Sequence, residues 1–95
     1  MISVQIRDGR LSTAGHAKYA KHGKDIVCAG VSVLFQTLII SIESLTTDKI
    51  KYCIEPGASW IKYENLSEKS KVLVDSFYLG VTEIAKAHPE HVEVI

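Results

Sequence analysis

His16 and Cys28 lie twelve positions apart, in a stretch that reads Gly15-His16-Ala17, a short loop, then Asp25-Ile26-Val27-Cys28-Ala29-Gly30-Val31-Ser32. A thiol and an imidazole are a nucleophile and a general base if they meet in space. A free thiol is mostly protonated at neutral pH, and the anion is the reactive form. Aligned amides at a helix start and a nearby imidazolium both favour that anion and lower a thiol's pKa by about one to several units. Cys28 falls in the first turn of the chain's most apolar segment, so both effects are within its reach. A cysteine in an apolar helix is also, simply, a small hydrophobe, and the residues alone leave both readings standing.

The neighbouring polar groups have double readings too. Ser32 follows Cys28 by one turn on the same face, where its hydroxyl can donate to a thiolate or substrate, or bond back to the preceding carbonyl. Asp25 can cap the helix through the amides of Val27 and Cys28, or orient His16 or the loop; a carboxylate beside a thiolate also opposes its ionisation. His22 is the rival base, but Gly23 beside it suggests an exposed position. His88 and His91 flank Pro89 where a second helix must end, and read as surface residues suited to the helix dipole. Cys53 alternates with Lys51 and Glu55 on a strand pattern and reads as a bystander. There is no CxxC pair and the histidines are scattered, so the case for a metal is weak.

Elements that could position these groups follow from periodicity. Ile2, Val4 and Ile6 alternate with polar residues up to Asp8-Gly9, and Leu11 and Thr13 resume the pattern, which predicts a hairpin running toward Gly15-His16. The segment Gly15, Ala17, Lys18, Tyr19, Lys21, His22, Gly23 and Lys24 has glycine boundaries and no period, and reads as a mobile loop able to fold over substrate, with Gly15 and Gly23 as hinges. A helix from Asp25 to about Leu45 is apolar around nearly its whole circumference and must be covered on more than one side, by the sheet and by a second helix or another subunit. Ile50, Tyr52 and Ile54, then a Glu55–Ser59 turn, then Ile61 and Tyr63 predict a second hairpin. Ser67 caps a helix striped by Leu73, Phe77, Val81 and Ile84, and the tail from His91 to Ile95 alternates as an optional last strand. The order is β-β-α-β-β-α(-β), an α+β fold with a mostly antiparallel sheet and two helices, read as a single domain over residues 1–95.

Composition narrows the function classes. The chain has 11 basic and 11 acidic residues, and that balance argues against a dedicated nucleic-acid groove, which draws its affinity from surplus cations. Two distant cysteines read as free thiols of a reducing cytosol rather than a disulfide scaffold. The N-terminus lacks the pattern of a signal peptide. Residues 26–45 are interrupted by Ser32, Gln36, Thr37, Ser41 and Glu43 and lack clean basic flanks, so a buried helix is preferred to a membrane span.

The blocks GHA and DIVCAGVS, with a short loop between them and an apolar helix after them, together with the element order and the Pro89-containing tail, resemble the bacterial ribosomal-processing cysteine proteases of the Prp family. That resemblance implies a cofactor-free, homodimeric, cytoplasmic cysteine endopeptidase that removes an N-terminal extension from large-subunit ribosomal protein twenty-seven. It places the nucleophile on Cys28 and the general base on His16. Two other classes compete: a non-catalytic, ribosome-associated binding module in which Cys28 merely packs, and a redox-sensing thiol that pairs with Cys53. No direct nucleic-acid or membrane partner is expected.

Overall fold

The computed structural model describes residues 1–21 and 23–95, so the readings placed on His22 lie outside the described residues. β1 (Ile2–Arg7) and β2 (Arg10–Ala14) form the first hairpin. Its tight turn is closed by Gly9 at φ +76°, a left-handed conformation that costs glycine little. There follow α1 (Ile26–Leu45), β3 (Ile50–Cys53), β4 (Ala58–Tyr63), α2 (Glu68–Ala87) and β5 (Val92–Val94). The sheet order is β3-β4-β2-β1-β5. β5 pairs with β1 in parallel and the other three pairs are antiparallel. The alternating tail therefore does become a strand, and it closes the sheet on the side of β1.

Strand alternation splits the sheet into two unlike faces. Ile2, Val4, Leu11, Ile61 and Val92 point inward and are buried with residues of both helices in one core. Among the described residues no helix covers the opposite face. α1 contributes Val27, Val31, Phe35, Leu38, Ile39 and Ile42 to the core. It has the length and hydropathy of a membrane span, yet this inward stripe is what packs the sheet to α2. The two helices approach closely at glycines: a Cβ on Gly30 would lie 3.3 Å from Ile84 Cδ1, and one on Gly80 would lie 3.0 Å from Leu34 Cδ1. The outward side of α1 leaves Ile26, Val33 and Ile40 exposed at 64, 62 and 61%, so the cover its apolar circumference demands is only partly supplied within one chain.

β3 stops at Cys53, one residue short of the alternation read in the sequence. The turn begins sooner because the Ser59 hydroxyl donates to the Glu55 carbonyl at 3.1 Å and accepts from the Glu55 amide at 3.2 Å. At the start of α2, the Asp48 carboxylate accepts from the Ser67 amide at 3.0 Å, from the Ser67 hydroxyl at 2.7 Å and from the Ser70 hydroxyl. Ser70, followed by Ser67, holds this carboxyl below the usual carboxylate range.

Candidate active site

The first turn of α1 is organised by one side chain. Asp25 Oδ1 accepts from the amides of Val27 at 3.0 Å and Cys28 at 2.9 Å, which caps the helix and fixes the backbone carrying the thiol. Its other oxygen accepts from the amides of Tyr19 at 2.9 Å and Ala20 at 3.4 Å. The Cys28 amide is the chief cause that holds the Asp25 carboxyl below its ordinary range, with the loop amides adding to it against a desolvation that raises it. Both oxygens are spent on backbone amides of the loop and the helix, so the structure gives Asp25 the capping role and, with it, a loop-binding one.

That cap has a chemical consequence. An oxyanion formed at Cys28 would need a free donor, but the amides of Val27 and Cys28 are already engaged by Asp25, and that of Ala29 donates to the Asp25 carbonyl at 3.0 Å. The amide that reaches the sulfur comes instead from the loop. Ala17 is buried, and its N–H donates to Cys28 Sγ at 3.3 Å.

Ala17 is held on both sides of its residue. Its carbonyl lies 2.8 Å from Nδ1 of His91, which donates to it. Tyr19 packs edge-on against His88 and His91, with ring centroids 5.2 and 5.3 Å away. Lys18, at φ +55°, reverses the chain between these two anchors. Ala17, Tyr19 and Ala20 of the segment read as mobile are thus stapled in this conformation by Asp25 from below and by the histidine pair at the end of α2. His88 and His91, read as surface residues, are half-buried parts of the staple. Sequence gave no sign of it, because Ala17 and His91 are 74 positions apart. Gly15 is not a hinge in open space either. At φ +94° a Cβ there would come within 2.2 Å of the Met1 carbonyl, and its amide donates to the Gly57 carbonyl at 2.9 Å. A Cβ on Gly23, at φ +86°, would meet no atom of the described residues beyond its chain neighbours within 4 Å.

His16 leaves the end of β2 on the solvent side. Its ring rests on Gly57, the tip of the β3–β4 turn, where a Cβ would lie only 2.8 Å from Nε2 and 3.2 Å from Cε1. His16, Cys28 and Ser32 line one cleft of about 310 Å³, walled by the Glu55–Gly57 turn and by Phe35 and Gln36 of α1. The structure therefore brings the histidine, the cysteine and the serine together, while Asp25 sits behind them as a support. Gly57 is a cleft position that sequence reasoning did not single out, whereas Ala17, read there as part of a substrate-covering loop, presents its amide to the sulfur. The Glu-Pro-Gly turn is visible in the sequence, but only the pairing of β2 with β4, Ala14 opposite Ala58, carries it to the histidine. Cys53 lies on β3 away from this cleft; burial, then Glu55, push its thiol up. Both cysteines are free. Among the described residues no group of three or more histidine, cysteine or acidic side chains gathers as a metal site.

An α+β scaffold that presents a thiol at a helix start beside a strand-end imidazole, over an open cleft, has the architecture of a cysteine protease. Residues 1–93 match the family described as cysteine protease Prp, and the chain belongs to that family. It is an enzyme of the cysteine protease class, which sets aside the non-catalytic module. The crystal structure of the essential ribosomal processing protease Prp from S. aureus with a covalently linked product peptide superposes with a TM-score of 0.88 at 19% identity, covering 98% of this chain and 94% of that one. The same S. aureus protease with a substrate peptide gives 0.83 at 18% identity, over 99% and 95% of the two chains. A Streptococcus mutans protein gives 0.78 at 29% identity, over 98% and 89%. No curated protein matches the chain.

Proposed function

We propose that this protease cuts a ribosomal protein precursor, with Cys28 as nucleophile and His16 as general base. The observation that carries the reading is the shared cleft: thiol and imidazole both line it, and the buried Ala17 amide donates to the sulfur from behind, on backbone that is capped, paired and stapled. His16 takes the thiol proton, the sulfur attacks the scissile carbonyl, and the imidazolium returns the proton to the leaving amine. Water then hydrolyses the thioester, with His16 again accepting its proton. The Ala17 amide favours negative charge on the sulfur before attack. Ser32, open to solvent one turn along α1, offers a hydroxyl to the bound peptide.

The substrate is the N-terminal extension of large-subunit ribosomal protein twenty-seven, cut in the cytoplasm. The similarity to S. aureus enzymes crystallised with substrate and product peptides supports a peptide in this cleft. The working form is a homodimer, supported by the exposed apolar row Ile26, Val33 and Ile40, which recurs every seven residues along α1. Incubating wild type, Cys28→Ala and His16→Ala with a peptide spanning the extension, followed by mass spectrometry, tests the reading. Wild type yields two fragments and each variant leaves the peptide whole; cleavage retained in Cys28→Ala ends the assignment.

A further inference from the structure

The bare face of the sheet carries a second feature, unrelated to the cleft. Strand register sets Arg7 opposite Arg10, Arg10 opposite Lys62, and Lys62 opposite Lys51. Four cations thus form one row across β1, β2, β4 and β3, about 14 Å long at ordinary strand spacing. Like charges directly opposite each other destabilise a sheet, and here three such pairs stand in succession. Among the described residues the side-chain ion pairs are Lys71–Glu68 and Lys86–Glu83, both on α2, so no Asp or Glu side chain pairs with this row. Arg7 donates to the main-chain oxygen of Ile95 at 3.1 Å.

The row opens into a concavity of about 760 Å³, lined by Arg10, Lys49, Lys51 and Lys62 with a single acid, Glu64. The chain's only tryptophan, Trp60, lies in the adjacent row, opposite Ser12 and Cys53. Lys62 Nζ sits 4.8 Å and Arg10 Cζ 5.7 Å from its ring centroid. The overall neutrality that argued against nucleic acid hides this segregation of charge.

We propose that this face binds single-stranded RNA, with phosphates along the Arg7-Arg10-Lys62-Lys51 row and a base stacked on Trp60. Cations that repel one another without an acidic side chain between them are relieved by a polyanion laid across them, and counterion release adds to the gain. The indole decides between polyanions: a base has a π-face to stack on it, whereas an acidic peptide uses only the cations. The surface lies on the opposite face and at the opposite end of β2 from His16, so RNA and a peptide in the cleft can be held together.

Titration of the full chain with a uridine-rich oligoribonucleotide of about ten nucleotides is read by Trp60 fluorescence and by anisotropy of labelled RNA at several salt concentrations. The expected result is quenching, with a log K against log salt slope of about −2 to −3 for three or four phosphates. Arg10→Glu/Lys62→Glu, and the milder Arg10→Gln/Lys62→Gln, weaken binding at least about tenfold, while Lys69→Glu on α2 and Cys28→Ala bind as wild type. Because Cys28→Ala is inert in the protease reading, its retained binding separates the two proposals. Absence of quenching, equal affinity in the folded Gln variant, or equally tight binding of polyglutamate overturns the RNA assignment.

Discussion

Gly57→Ala isolates the position of the His16 ring from everything else in the cleft. The new methyl would stand 2.8 Å from Nε2, against ordinary contacts of 3.4–4 Å, so the ring must retreat by at least about 0.6 Å. Misplacing a reacting group by about 1 Å costs on the order of 10²-fold in rate, and the expected loss of cleavage is therefore about 10- to 100-fold. The backbone contributes separately: a Cβ at φ +75° costs roughly 1–2 kcal/mol, which lowers Tm by roughly 4 to 16 °C in a chain of this size. Gly9→Ala is the matched control. Its φ is +76° and its Cβ would lie 3.3 Å from the Tyr63 carbonyl, far from the cleft. The assay compares Tm by circular dichroism and peptide cleavage by mass spectrometry well below both melting points. Similar Tm losses with cleavage impaired only in Gly57→Ala are expected; equal cleavage in the two variants would refute a role for the seated imidazole.

Removing the staple should act on chemistry before stability. His91→Ala frees the Ala17 carbonyl, so the amides of Tyr19 and Ala20 should exchange faster and kcat should fall with the fold intact, while His91→Asn, which keeps a donor, should restore part of both. Asp25→Ala should speed the same exchange and also fray the first turn of α1, lowering Tm. Acid should unfold the protein through two carboxylates. Asp25 and Asp48 both titrate below their ordinary value of 3.8 in the folded chain. Their contribution is therefore full above that value and lost as pH falls through the folded values; Tm should drop below about pH 4, and Asp25→Asn/Asp48→Asn should flatten that drop.

The elements were largely legible because local chemistry specifies them. Alternation around Asp8-Gly9 gave the first hairpin, Asp25 and Ser67 gave both helix starts, and Pro89 gave the end of α2 just before it. The same cap that located α1 also placed Cys28, and the GHA block placed His16. What escaped was non-local. The Glu55–Ser59 turn was plain as a turn, but its contact with His16 depends on β4 pairing with β2. The loop looked mobile because glycines and lysines give no period; its anchors are His91, brought by β5 pairing with β1, and the second oxygen of an aspartate already accounted for. The row of cations on the bare face also emerges only from strand register, since Arg7, Arg10, Lys51 and Lys62 share no local pattern.

The central claim, that Cys28 is a nucleophile served by His16, is tested most directly by the alkylation rates of the two cysteines. Cys53 is the internal reference, since burial and Glu55 hold its thiol above the ordinary range. With limiting iodoacetamide and quantification of each modified peptide, Cys28 should react faster than Cys53 in wild type and lose that advantage in His16→Ala. Equal rates at the two sulfurs, or a Cys28 advantage that survives the loss of the imidazole, would contradict the account.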